Sequence, residues 1–124
     1  MFPPESLPSL PLTIPQAFAR MEGWYARGQV PNRPQRNNNP GDLEFGPFAQ
    51  KFGASSGDPR FAIFPTAQDG WTAHICLFGS PEYEGLTIEE AVNKFAPAPE
   101  NNVEQYTACV CFWTGKQPTD LVSS

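Results

Sequence analysis

Apolar side chains recur at helical spacing in four stretches of this chain. In the first stretch, Phe18, Met21 and Tyr25 lie three and four residues apart. Such spacing brings side chains to one face of a helix. The pattern predicts an amphipathic helix that begins after Thr13 and ends near Gly28.

A capping signal stands at the start of each predicted helix. A Thr or Asn, whose side-chain oxygen can accept a backbone hydrogen bond, is followed three residues later by Gln, Asp or Glu. This spacing is typical of a capped helix start. The four helices are predicted over residues 13–28, 66–78, 87–95 and 102–114.

Residues 29–60 have no helical period and are rich in Pro, Gly and Asn. Segments 42–45 and 61–64 are predicted as two short strands, and the Asn-Pro-Gly cluster at 38–41 as a turn. The predicted fold class is therefore mainly α (α+β), with a small irregular β segment after the first helix. We expect residues 1–12 to form an extended Pro-rich leader and residues 13–124 to form a single domain.

The composition is that of a globular chain with one core. The 124 residues include 10 Phe and 3 Trp, and the net charge is −5. An acidic chain does not favour nucleic acid as a partner, and no apolar run reaches the length of a membrane span. Since the first fifteen residues lack a basic segment, we expect no signal peptide, synthesis in the cytoplasm, and release by lysis or by an unconventional route.

Cysteines and histidine give no strong signal of a metal site. Cys109 and Cys111 are two residues apart, so on a helix their side chains point in different directions. We expect buried free thiols, and one bridge from Cys76 remains open. His74 is expected at a helix surface or boundary, and we predict no metal and no cofactor.

Glu22 is the candidate catalytic acid. It lies near the end of the first predicted helix, with Phe18, Trp24 and Tyr25 close in sequence. A carboxyl group beside aromatic surface loses solvation, which raises its pKa and favours the proton-bearing form. The negative end of the helix dipole acts in the same direction. A proton held near neutral pH is what acid-catalysed glycosidic cleavage requires.

Several short motifs surround this glutamate in a fixed order. They are Met21-Glu22-Gly23-Trp24-Tyr25, Arg36-Asn37-Asn38-Asn39-Pro40-Gly41-Asp42-Leu43, Phe61-Ala62-Ile63-Phe64-Pro65-Thr66, Gly70-Trp71, Gly85-Leu86-Thr87-Ile88, Phe95-Ala96-Pro97, Glu100-Asn101-Asn102 and Tyr106. Together they resemble a phage-associated lysozyme-like family, similar to virion-associated peptidoglycan-degrading proteins and lytic transglycosylases. The resemblance covers roughly residues 13–115. It departs at Asp42, where the family usually has Asn.

The resemblance implies a lysozyme-like domain that cleaves the bond between N-acetylmuramic acid and N-acetylglucosamine in peptidoglycan. Glu22 would be the general acid, and glycan strands would be the partner. We expect a monomer that has no cofactor and binds neither nucleic acid nor membrane. If the family's Asn donates a hydrogen bond to the substrate, an ionised Asp42 cannot replace it.

A second carboxylate would come from Asp42, Glu44 or Glu100. Asp42 and Glu44 are alternatively solvated loop charges, and Glu100 is alternatively a charge at a helix N-terminus that favours the helix dipole. A single acid suffices if the substrate's own N-acetyl group assists and a 1,6-anhydro product forms.

The remaining candidate substrate-binding residues are Asn37, Asn39, Asn101 and Tyr106. The Asn run at 37–39 is alternatively a turn scaffold, and Tyr106 is alternatively a core aromatic.

Two other functions remain open from the sequence. The first is a non-catalytic glycan-binding or virion structural module, which the acidic charge and the Asp42 departure favour. The second is a protein that binds another protein through exposed aromatic side chains of Trp24, Tyr25 and Phe48.

Overall fold

The computed structural model describes residues 5–123, so the first four residues of the predicted leader and Ser124 lie outside the described chain. Within that range the protein is mainly helical with one small antiparallel sheet, which confirms the predicted class at this level. The elements in chain order are α1 (Ile14–Glu22), α2 (Arg33–Arg36), α3 (Pro47–Gln50), β1 (Ser55–Asp58), β2 (Phe61–Ile63), α4 (Ala67–Phe78), α5 (Ile88–Phe95) and α6 (Val103–Thr114).

The four long helices begin where the capping signals predict. In each, the cap side chain accepts a hydrogen bond from the backbone N–H three residues on. At Thr13 and Thr87 the bond is reciprocal, because the side chains of Gln16 and Glu90 accept from the cap N–H. The four caps are Thr13, Thr66, Thr87 and Asn102.

The first helix is shorter than predicted and ends at Glu22. Gly23 adopts a left-handed conformation with φ of 100° and donates its N–H to carbonyls of the last turn. Glycine takes this conformation without the strain of a Cβ, so it stops the helix at that point. The Glu22 side chain therefore stands at the carboxyl end of α1.

The middle segment departs from the predicted pair of strands. The sheet is formed by β1 and β2, with Ser55 opposite Ile63 and Asp58 opposite Phe61. Residues 42–45 contribute only an isolated bridge from Glu44 to the second strand. The tight hairpin turn at residues 59–60 brings β1 directly beside β2. The longer connection between residues 42–45 and β2 does not favour pairing in the same way.

Two one-turn helices, α2 and α3, also lie in this segment and were not predicted. A reciprocal capping box between Asn32 and Gln35 stabilises the start of α2, and Pro stands in the first turn of both helices. A single turn is too short to show a hydrophobic period, so pattern analysis does not detect it.

The main core lies between α1, α4, α5 and α6. The Phe18 ring, fully buried, contacts those of Phe78, Phe95 and Tyr106 at centroid distances of 4.7, 5.1 and 5.5 Å. Edge-to-face and tilted pairs of this kind add to the free energy of burial. A second cluster beneath the hairpin centres on Phe64 and Leu43. Side chains from both clusters line a cleft that lies between them.

His74 is buried, and its expected place at a helix surface was wrong. It lies on the same face of α4 as Gly70 and Phe78 and has no exposed surface. Its Nε2 lies 2.8 Å from the Pro15 carbonyl oxygen, and burial lowers its pKa to about 4. A Cβ on Gly41 would overlap the imidazole ring. The turn that contains Gly41 therefore packs directly against His74 and shields it from solvent.

The described part of the leader packs against the domain. Glu5 accepts hydrogen bonds from the indole N–H groups of Trp24 and Trp71, at 2.9 and 2.6 Å. Leu12 is buried in the main core, and its N–H donates to the Trp113 carbonyl. Residues 5–12 therefore share contacts with the elements that follow.

The hypothesis of an exposed aromatic docking surface was wrong for two of its three residues. Trp24 has no exposed surface and Tyr25 is 8% exposed, because both pack with Trp71 beneath residue Glu5. Phe48 is partly buried and lines the cleft instead.

The three cysteines are free thiols, as expected, but none of them is fully buried. Cys76 is exposed, and Cys109 and Cys111 are partly buried. A buried environment was predicted for all three and holds for none completely.

Gly70 permits the Asn-Pro-Gly turn to lie directly on α4. A Cβ on Gly70 would overlap the backbone carbonyl oxygen of Asn38, which cannot move away as a flexible side chain would. We expect Gly70→Ala to lower the free energy of unfolding by about 2 kcal/mol or more, since overpacking against backbone forces a shift of the turn. Urea denaturation measures the change. Gly85→Ala is the matched control, because a Cβ there meets nothing within 4 Å; equal losses in both variants would contradict the packing argument.

Candidate active site

A cleft of about 580 Å³ opens between the hairpin with its preceding turn and the helices α4 and α5. Its walls carry both signs of charge together with apolar side chains. Of the predicted site residues, five line it: Glu22, Asp42, Glu44, Glu100 and Asn101.

Glu22 reaches the cleft from the end of α1 and is partly buried. Loss of solvation on burial raises its pKa from 4.5 to about 7. The hydroxyl of Tyr106, which donates to Oε2 at 2.7 Å, opposes this rise, and the charges of Asp42 and Arg33 act in opposite directions. At neutral pH the carboxyl therefore exists in comparable amounts of both forms, as general acid–base catalysis requires.

Tyr106 comes to Glu22 from the first turn of α6. Its ring is packed on Phe18 and is 3% exposed, so the hydroxyl is held at the edge of the core. Burial and the nearby carboxylate raise the pKa of Tyr106 well above its usual range, which keeps the hydroxyl proton in place as a donor. The tyrosine contacts Glu22 and does not line the cleft itself.

The aromatic neighbours predicted from the sequence are not the ones at the carboxyl group. Trp24 and Tyr25 follow Glu22 in the chain but belong to a separate cluster with Trp71. The turn at Gly23 directs the chain away from the cleft. Of the three predicted neighbours, only Phe18, one turn earlier on α1, packs against Tyr106, whose hydroxyl bonds Glu22.

Asp42 forms an ion pair with Arg33 at the floor of the cleft. The Arg33 Nε lies 3.0 Å from both carboxylate oxygens, and Nη2 also donates to Oδ2. The Asp42 side chain is only 4% exposed. The planar guanidinium also stacks on the ring of Phe61 at 3.6 Å. Asp42 thus has a charged partner that sequence analysis did not identify.

The asparagine run builds the turn that supports Asp42. Asn39 has no exposed surface, and its amide bonds the backbone of Leu43 and Ala62. Asn37 is 3% exposed, and the two side chains lie outside the cleft lining. Asn38 has φ of 53° and donates to the Phe64 carbonyl. In this structure Asn39 acts as scaffold, and neither Asn37 nor Asn39 is placed to contact a molecule in the cleft.

Glu44 and Glu100 lie at the mouth of the cleft on opposite walls. Arg60 lies between them, 3.7 Å from a carboxylate oxygen of each. Their side chains are 66% and 63% exposed. Because solvent screens such pairs, they contribute little to stability. Asn101 lies beside Glu100 and is partly buried.

Sequence analysis missed three basic residues of the cleft. Arg33, Arg60 and Lys94 all line it. Arg33 lies three residues before the recognised Asn-rich motif, and Arg60 one residue before the predicted second strand. Their proximity to the acidic candidates was the available signal, but which carboxylate each one pairs with depends on the tertiary fold.

Comparisons with protein-family models, with characterised proteins and with solved structures give no significant match. Across residues 5–123, no cluster of three or more His, Cys, Asp or Glu side chains is arranged to hold a metal ion. In the same range no helix is both long and apolar enough to cross a bilayer.

Glu22 makes the stability of the fold depend on pH. Its pKa is about 7 in the folded protein and 4.5 without burial, so between these values the folded state holds a proton that the unfolded chain releases. Rising pH through this window therefore removes stability. We expect Glu22→Gln to gain stability relative to the wild type, on the order of 2–3 kcal/mol between pH 4.5 and pH 8. Urea titrations at closely spaced pH values measure the difference, and parallel curves would contradict the buried acid.

Proposed function

We propose that this protein is a lysozyme-like muramidase or lytic transglycosylase that cleaves the β-1,4 bond between N-acetylmuramic acid and N-acetylglucosamine. The observation that carries the proposal is Glu22, a partly buried carboxyl with a pKa of about 7 that faces an open cleft and accepts a hydrogen bond from Tyr106. The motif resemblance supports the substrate class. The order of one acid-bearing helix, a small hairpin and further helices supports a lysozyme-like fold.

In the first step, the protonated Glu22 donates its proton to the glycosidic oxygen as the bond to the anomeric carbon breaks. The oxygen leaves as a neutral hydroxyl, and positive charge develops on the sugar ring. Glu22 becomes a carboxylate, which the hydroxyl of Tyr106 stabilises by donating a hydrogen bond. This bond is therefore stronger after proton transfer than before it.

The second step needs no further protein carboxylate if the substrate's N-acetyl oxygen bonds to the anomeric carbon. The Glu22 carboxylate then takes a proton from the nucleophile that displaces this oxygen. If the nucleophile is the sugar's own 6-hydroxyl, the product is a 1,6-anhydro sugar; if it is water, the product is a reducing sugar. Asp42 is paired with Arg33, and Glu44 and Glu100 are exposed to solvent. These features favour a mechanism with a single catalytic acid.

The mouth of the cleft supplies groups that suit glycan binding. Glu44, Glu100 and Asn101 offer oxygen acceptors, and Asn101 also offers an N–H donor, for sugar hydroxyl and acetamido groups. Pro97 adds exposed apolar surface for a sugar ring. In this proposal the partner is a peptidoglycan strand, and the protein is a phage-associated lytic factor.

Replacement of the acid tests the enzyme hypothesis directly. We expect Glu22→Gln to fold and to release soluble muropeptides from purified peptidoglycan at least about 100-fold more slowly than the wild type, because the amide has no acidic proton to donate. Mass spectrometry of the fragments measures release and separates anhydro from hydrolysed ends. A near wild-type rate in this variant, with a cooperative unfolding transition, would refute the role of Glu22.

A non-catalytic glycan-binding module is the second candidate. It is favoured by the net charge of −5 and by the pairing of Asp42 with Arg33, which leaves that carboxylate unavailable to substrate. Co-sedimentation with purified sacculi, with no soluble fragments released by the wild type across several wall types and pH values, would support this function and exclude the enzyme.

A further inference from the structure

The Arg33–Asp42 ion pair lies in the same cleft as Glu22 and is built more rigidly than the other ion pairs there. Asp42 is almost completely buried, and Arg33 bonds both of its carboxylate oxygens. The Phe61 ring holds the guanidinium from its opposite side at 3.6 Å. By contrast, the Arg60 contacts at the mouth are 3.7 Å long and exposed. The Asp42 carboxylate is therefore enclosed and held by several charge-assisted hydrogen bonds, while the Arg33 side chain remains 42% exposed.

The two charges of the pair act on Glu22 with opposite sign. Arg33 favours the carboxylate form, and Asp42 favours the protonated form. Removal of either charge alone would leave its partner uncompensated beside Glu22. Because the pair as a whole is neutral, the solvation lost on burial of Glu22 remains the dominant effect.

Other charged or titratable groups around the cleft come from every neighbouring element. The Tyr106 hydroxyl on α6 touches Glu22 directly. The remaining groups that line the cleft are Glu44, Arg60, Tyr83, Lys94 and Glu100. None of these five is among the causes of the shift in the Glu22 pKa: the four charged side chains are exposed and screened by solvent, and burial raises the pKa of Tyr83 to about 12, so it is uncharged at neutral pH.

We propose that Asp42 is a positioning residue that neutralises Arg33 beside Glu22, so that Glu22 retains the proton it donates. Its catalytic meaning rests on the proposed function, while the electrostatic arrangement does not require substrate. Asp42 has φ of 49°, a conformation that Asn also adopts readily. An Asn here would therefore keep the backbone but leave the Arg33 cation unbalanced.

Carbon-13 NMR titration of the Glu22 carboxyl tests the proposal without substrate, with the signal assigned by its loss in Glu22→Gln. We expect Asp42→Asn to lower the Glu22 titration midpoint by about one pH unit, because the unpaired Arg33 stabilises the carboxylate. The double variant Arg33→Gln/Asp42→Asn removes both charges and is expected to restore a midpoint close to the wild type.

Asp58→Asn is the matched control. It removes one carboxylate from an ion pair with Arg36, outside the cleft lining. The Asp58 charge acts on Arg33 but is not among the causes of the shift in the Glu22 pKa. An unchanged midpoint in Asp42→Asn would overturn the proposal, as would equal shifts in Asp42→Asn and Asp58→Asn. If Asp42→Asn does not fold, Arg33→Gln decides: it leaves the Asp42 carboxylate without its cation, so a Glu22 midpoint raised by about one pH unit supports the proposal and an unchanged midpoint overturns it.

Activity provides a readout that separates this proposal from the enzyme hypothesis. If the wild type cleaves peptidoglycan, the alkaline limb of kcat/KM in Asp42→Asn moves to lower pH by the same amount as the NMR midpoint. An NMR shift with no cleavage by the wild type would support the charge arrangement and refute the enzyme. Cleavage with no shift in either readout would refute the positioning role alone.

Discussion

Burial of one face of α1 against α6 is the constraint on which the fold and the candidate site both depend. Phe18 and Glu22 lie one turn apart on that face, so the packing that encloses the phenyl ring also removes water from the carboxyl group. Tyr106 serves both purposes, with its ring on Phe18 and its hydroxyl on Glu22. The apolar core thus sets the protonation of an acid at its edge.

A second constraint is the close contact of the Asn-rich turn with α4. Because Gly70 has no Cβ, the Asn38 carbonyl packs directly against α4, and Gly41 packs in the same way against the buried His74 ring. Asn39 ties the turn to the second strand through its amide. These contacts hold the backbone that carries Asp42 against α4 and the second strand. The exposed residues at the mouth have no comparable support.

The two halves of the cleft therefore differ in physical character. At the floor, the carboxyl groups of Glu22 and Asp42 have lost most of their solvation, while the Arg33 side chain remains 42% exposed, and charges there interact more strongly than at the mouth. The mouth, with Arg60 between Glu44 and Glu100, is solvated, and its pairs are weak. A reaction that moves a proton at the floor and binds a polar polymer at the mouth suits this division.

Local signals determined the starts of the four long helices, because caps such as Thr13 and Thr87 act within three residues of themselves. They also singled out Glu22 and the turn that supports Asp42. The burial of His74 and the pairing of Arg33 with Asp42 were decided only by the tertiary structure. Each depends on contacts between segments whose register or approach no local pattern encodes, and desolvation of Glu22 arises only when α6 covers it.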